Sequence, residues 1–189
     1  MYALRLPVTY QHGRYVIPAM PVFFVLGLAG LALWLDLRST RFIVRIFSRV
    51  WAVSLALVLL VFWGLGASAY SRDVGVIETE MVATSHWIAA NTSPHDLIAA
   101  HDIGALGYFA SRPLLDLAGL VSPEVIPFIR DEAGLADYLN QQGAVYLVTF
   151  PDWYPQLTTQ AELIFQTGGE ISPSLGYENM AVYRWPGKD

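Results

Sequence analysis

VIPAMPVFFVLGLAGLALWL, Val16–Leu35, and VWAVSLALVLLVFWGLGASAY, Val50–Tyr70, contain no charged side chain. A helix needs about 20 mainly apolar residues to cross a hydrocarbon core about 30 Å thick, and each stretch has that length. In hydrocarbon every backbone N–H and C=O must be paired within the segment, so helices are the expected form. A hairpin buried in a soluble core is the alternative, but the remaining residues would have to cover two helices that are apolar all round. The expected fold is therefore a membrane α-helical hairpin of two transmembrane helices, followed by a small extracytoplasmic α/β domain with a mainly parallel sheet. Residues 1–72 form the hairpin part and residues 73–189 the domain.

Composition agrees with that division. The 189 residues are 54% hydrophobic and only 14% charged, against about 25% charged in ordinary soluble domains. Up to Arg72 there are seven basic residues and one acid, Asp36, whereas beyond it four basic residues face fifteen acids. An acidic domain lacks the basic face that nucleic acid requires, so no nucleic-acid partner is expected. The absence of cysteine removes disulfides, thiol nucleophiles and cysteine-based zinc sites.

Between the apolar stretches lie Arg38, Arg41, Arg45 and Arg49, spaced three, four and four residues apart. The spacing fits either a short helix in the headgroup region with its guanidinium groups on lipid phosphates, or a solvated linker. Either reading places this loop in the cytoplasm, by the excess of arginine in cytoplasmic loops. The expected location is the cell membrane, multi-pass, with both termini extracytoplasmic and membrane lipid as a partner. Gly64, Gly66, Ala67 and Ser68, near the outer end of the second stretch, permit close approach of further transmembrane helices.

From Asp73 onward the pattern changes to that of one globular core. Val74, Ile77, Met81 and Ile88 share a face at helical spacing, and Asn91-Thr92-Ser93-Pro94 ends that helix. Strands are expected at Leu97–Ala100, Leu114–Leu117, Ala144–Phe150, Glu162–Gln166 and Met180–Trp185. Helical segments fall at Gly104–Ala110 and Leu135–Gln142, the latter stopped by Gly143. Alternation of this kind predicts at least three parallel strands.

In an open α/β sheet, ligands bind off the carboxyl ends of the strands. Asp102 falls at such an end, Gly119 just past another and Asp152 just past a third; Asp102, Asp116 and Asp152 with Arg112 form a candidate polar crevice. The alternative is structural: Asp102 caps the next helix, and Gly104 and Gly107 allow close packing. Gly104-Ala105-Leu106-Gly107 is not a dinucleotide fingerprint, and no Walker lysine is present, so no cofactor is expected. His86, His95 and His101 lie near Asp96 and Asp102 without zinc-motif spacing; they read as surface histidines and no metal is expected. There is no G-x-S-x-G elbow. At the other end, His12, Arg14 and Tyr15 precede the first helix on its outer side. A guanidinium there can hold a lipid phosphate bidentately, or simply anchor the helix end.

Two stretches carry a family resemblance. QHGRYVIPAMP, Gln11–Pro21, resembles the segment leading into a late transmembrane helix of bacterial GT-C-type membrane glycosyltransferases, those similar to dolichyl-phosphate-mannose–protein mannosyltransferases. DLIAAHDIGALGYFASRPLLDLAGLVSPE, Asp96–Glu124, resembles the extracytoplasmic domain that follows the last helices in some prokaryotic members; Asp102, Gly104, Tyr108, Asp116 and Gly119 match its pattern. The resemblance implies inverting transfer of a sugar from a polyprenyl-phosphate donor on the outer face. It also implies a catalytic acid in the first outer loop of a larger helical bundle, and no residue here corresponds to that loop. By this resemblance the chain is the carboxyl-terminal portion of such an enzyme, inactive alone, with His12, Arg14 and Tyr15 as a carrier-phosphate contact and the polar crevice on the acceptor side. The alternative from the residues themselves is a membrane-anchored extracytoplasmic binding or interaction module without catalysis.

Overall fold

The computed structural model of the chain describes residues 16–35, 37 and 39–187. The chain divides into two compact units, the first extending to Gly66 and the second beginning at Ala67.

In the first unit a 3-10 turn, Ile17–Ala19, leads into helix α1, Met20–Trp34. Pro18 and Pro21 fall in these opening turns, where a missing N–H removes no intrahelical bond. Ile17–Trp34 is about 27 Å long at 1.5 Å per residue. Helix α2 spans Phe42–Val76. Arg45 and Arg49 therefore lie on its first two turns, so this part of the arginine-rich connection is helical; Asp36 and Arg38 lie outside the described residues. Trp34 and Trp51 meet edge to face, their ring centroids 6.1 Å apart. Both helices are long and apolar enough to cross a membrane, and their apolar windows are not buried against protein.

The helix does not end where the composition changes at Asp73. It continues through a π-helical turn, Ile77–Val82, into α3, Ala83–Asn91. The wider turn shifts the side-chain register. Ile77, which a period of 3.6 assigns to the apolar face, is exposed, and Glu80 turns inward and is fully buried. The Glu80 carboxylate accepts from the Thr167 hydroxyl, from Met180 N at 2.9 Å and from Asn179 Nδ2 at 2.9 Å. Three donors answer the desolvation of a buried carboxylate that would otherwise oppose folding.

Beyond α3 the chain forms five strands: β1 Ile98–Ala100, β2 Leu114–Asp116, β3 Tyr146–Thr149, β4 Glu162–Gln166 and β5 Ala181–Arg184. All five fall within the segments read as strands. Their order is β2-β1-β3-β5-β4. The expected three parallel strands are β2, β1 and β3. The sheet as a whole is mixed rather than mainly parallel, because β5 enters antiparallel between β3 and β4. The reason lies in the β4–β5 connection, whose one α-helix, α6 (Ile171–Ser174), is four residues long. Without a crossover helix to carry the chain back along the sheet, β5 returns beside β4.

The inner strands are buried on both faces, and their alternation sorts the core into two layers. Ala99, Leu147, Ala181 and Tyr183 face a cluster that includes Leu135 and Leu139 of α4, Glu132–Gln142. Ile98, Ala100, Val148 and Val182 face the opposite cluster, with Ile88 of α3 and Leu106. Gly143 ends α4 in the left-handed region, at φ +72°. Strand β4 is one of the two edges of the sheet and leaves Leu163 exposed. Its Glu162 pairs with Arg184 at 3.4 Å across open solvent, a contact that contributes little to stability.

Candidate functional site

Strands β1 and β3 are parallel neighbours, so the residues after each emerge on the same edge of the sheet. After β1 come His101 and Asp102; after β3, Phe150 leads into a 3-10 turn, Pro151–Trp153, and then Tyr154 and the short helix α5, Pro155–Thr158. Proline at the start of each short helix fixes φ where no N–H is needed and turns the aromatic pair back toward β1. His101 Nδ1 and the Tyr154 hydroxyl are 2.6 Å apart. Trp153 packs edge-on against the His101 ring at 5.0 Å.

These groups line a crevice of about 460 Å³ together with Ile129, Arg130 and Glu132. Glu132 is committed to the fold: its Oε2 accepts from Gln156 N at 2.7 Å and Leu157 N at 2.9 Å, capping α5. Arg130 is exposed, and it is the cation in the lining. Burial, reinforced by the charges of Asp102, Glu132 and Asp116, pushes the Tyr154 phenol up to about 12. The phenol therefore stays protonated, and when it donates to Nδ1 the imidazole carries its own proton on Nε2. The crevice thus offers a guanidinium, an oriented imidazole and an indole to a ligand. That set binds anionic and hydroxylated groups.

The four crevice residues expected from sequence do not converge on one cavity. Asp116 is fully buried. Its carboxylate accepts from Ala118 N at 2.8 Å and Val121 N at 2.7 Å, closing the loop after β2. Gly119 sits in that loop at φ +73°, and a Cβ there would meet Ile126 at 2.9 Å. Arg112 donates to the carbonyls of Ala89 at 2.7 Å, Thr92 at 3.0 Å and Ala110 at 3.0 Å, and to the Thr92 hydroxyl at 3.1 Å. It therefore ties down the last turn of α3, where helix carbonyls lack partners. Asp152 is exposed and lines a different cavity. Asp102 is half-buried with one carboxylate oxygen lacking a hydrogen-bond partner, and burial raises its carboxyl above the usual range while neighbouring His101 opposes the shift.

His101, read as a surface histidine, is instead half-buried against Trp153 and Tyr154. His86 and His95 are exposed, as expected. Among the described residues no group of three or more acidic, histidine or cysteine side chains is placed to hold a metal ion. His12, Arg14 and Tyr15 lie outside the described residues. Sequence reasoning missed Arg130, Trp153 and Tyr154. The available signal was Pro151-Asp152-Trp153-Tyr154-Pro155, an aromatic pair between prolines directly after the strongest strand.

No curated protein and no solved structure matches the chain. A family model described as "Domain of unknown function (DUF8728)" matches residues 64–183, from within α2 into β5. That match spans more than half of the chain, which therefore belongs to this family.

Proposed function

We propose that the chain serves as the carboxyl-terminal portion of a polyprenyl-phosphate-sugar-dependent membrane glycosyltransferase of the GT-C type, with the α/β domain on the acceptor side. The observation that carries the reading is the run Asp96–Glu124. The stretch that resembles the outer domain of such enzymes builds β1, β2 and the Asp116 loop, and so supplies the sheet edge beside the crevice at His101. Two apolar helices without buried windows support a membrane setting, with α1 and α2 spanning it and their surfaces free for lipid or further helices. The arginines from Arg38 to Arg49 orient that hairpin with both termini outside the cytoplasm. Arg14, flanked by His12 and Tyr15, contacts the carrier phosphate. Arg130 and His101 hold the acceptor.

The test is transfer from polyprenyl-phosphate sugar in membranes containing this chain alone and in membranes that also supply the remaining helical bundle. No turnover is expected in the first and turnover in the second; turnover by the chain alone overturns its assignment as an inactive portion. In the assembled enzyme Arg130→Ala is expected to raise the acceptor KM about tenfold with kcat retained, since it removes binding rather than chemistry. A reporter active only outside the cytoplasm is expected to work after Asp189 and to fail within the arginine loop.

A second reading, an anchored binding module without catalysis, is favoured by the use that the fold makes of Asp116 and Arg112. With those two engaged, the crevice holds groups that bind ligands more readily than they break bonds. Retention of an acidic or neutral glycan by the chain, with no transfer in either membrane, would select it.

A further inference from the structure

A second cavity, of about 280 Å³, shares Trp153 and no other lining residue with the crevice. Its aromatic walls are Phe150, Trp153 and Tyr177. Phe150 and Trp153 form a corner, with ring centroids 5.0 Å apart and planes inclined by 47°. Val76 and Met81 supply an aliphatic wall, and two polar groups complete the lining, Asp152 and Ser172. Ser172 is fully buried, yet its hydroxyl has no hydrogen-bond partner. Asp152 is an exposed carboxylate, and among the described residues no basic side chain lines this cavity.

Each of these features constrains the occupant. An anion is repelled by Asp152 with nothing to offset it. A purely apolar ligand would desolvate the carboxylate without compensating it. Ring faces attract a cation within about 6 Å, and a cavity lined by three rings and one carboxylate suits an alkylated ammonium that water solvates poorly. We propose that this cavity binds an organic ammonium group, with its charge between the rings and Asp152 and its alkyl part against Val76 and Met81. The chemistry is shared by free amines and by the ammonium headgroups of lipids.

The experiment is titration of the full chain, in uncharged maltoside micelles, with choline, ethanolamine and dimethylbutanol, the neutral carbon isostere of choline. Binding is read by calorimetry and by tryptophan emission. At least one ammonium ligand is expected to bind saturably, with dimethylbutanol weaker by about tenfold. Asp152→Asn, at an exposed position that the fold does not use, is expected to weaken binding about fivefold. Trp153→Phe keeps a ring in place and is expected to remove the emission change while calorimetric binding persists. Equal binding of dimethylbutanol, an unchanged affinity in Asp152→Asn, or no saturable response to either amine overturns the proposal. Glycerophosphocholine and glycerophosphoethanolamine then separate the sources: competition by either assigns a lipid headgroup, and competition by free amines alone assigns a soluble amine.

Discussion

Helices α1 and α4 bury their residues in opposite ways. Met20–Trp34 is apolar on every side and has no buried residue; Glu132–Gln142 is polar on one side and buries Leu135, Ala136, Tyr138 and Leu139. The difference lies in what each helix is packed against. The stripe of α4 meets the sheet, where Ala99, Leu115 and Leu147 complete a core layer, and its outer face can stay charged. Among the described residues α1 finds no such layer in its own unit, and its leucines and phenylalanines are satisfied only where the surroundings are apolar too. Composition ranks α1 as the more hydrophobic helix, yet α4 is the one whose burial holds a fold together.

Truncating leucines in the two settings tests that contrast most strongly. Leu139→Ala removes a fully buried side chain beneath the sheet and is expected to destabilise the α/β unit by about 2–5 kcal/mol. Leu60→Ala, on the exposed surface of α2, is expected to change stability by no more than about 0.5 kcal/mol. Thermal unfolding in maltoside micelles, followed by near-ultraviolet circular dichroism, reads both; equal losses would mean that α2 is packed as tightly as a core helix. Glu80 is the polar counterpart. Glu80→Ala strands the Thr167, Asn179 and Met180 donors in the interior and is expected to cost about 3 kcal/mol. Glu80→Gln keeps the shape and one acceptor and is expected to cost roughly half as much. A neutral Glu80→Ala would show that water reaches these donors.

The same contrast separates what local sequence patterns reveal from what only the fold decides. The apolar helices, the five strands and the Gly143 stop follow from local patterns, because length, period and left-handed turns leave direct marks on residue types. The antiparallel entry of β5 leaves no such mark: its AVYR reads as a strand in either direction, and only the path of the connection decides. Glu80 was hidden by the π-turn, since one widened turn reassigns every face after it. At the sheet edge, the position of Asp102, Gly119 and Asp152 at or past strand ends was legible, but the use of the carboxylates was not. Asp116 bonds backbone two and five residues ahead and Arg112 bonds carbonyls of α3, pairings that no spacing rule exposes. His101 became a site residue only because β1 and β3 are adjacent, which brings Tyr154 to it from 53 residues away.

That long-range pair supplies the next test. Tyr154→Phe keeps the buried ring and deletes the hydroxyl, with an expected loss of about 1 kcal/mol, typical of one hydrogen bond. The nitrogen chemical shifts of His101 are expected to change toward a free tautomer mixture; unchanged shifts would mean that the phenol does not orient the imidazole.

The smallest effect is expected at Asp102, where the sign of the pH dependence is the informative part. Burial holds its carboxyl above the ordinary value of 3.8, against the opposing influence of His101. The folded chain therefore binds this proton more tightly than the unfolded chain does. Its contribution to stability is complete below the ordinary carboxylate value and is lost as pH rises through the raised one. Near neutral pH the ionised, partly desolvated Asp102 opposes folding, and Asp102→Asn, which keeps the shape without the charge, is expected to raise the melting temperature. The gain should shrink as the pH is lowered toward the carboxylate range, where the wild-type side chain is itself neutral. A loss at neutral pH in Asp102→Asn would reverse the argument: the charge would then be stabilised by His101, and the imidazole at the sheet edge would belong to an ion pair rather than to Tyr154 alone.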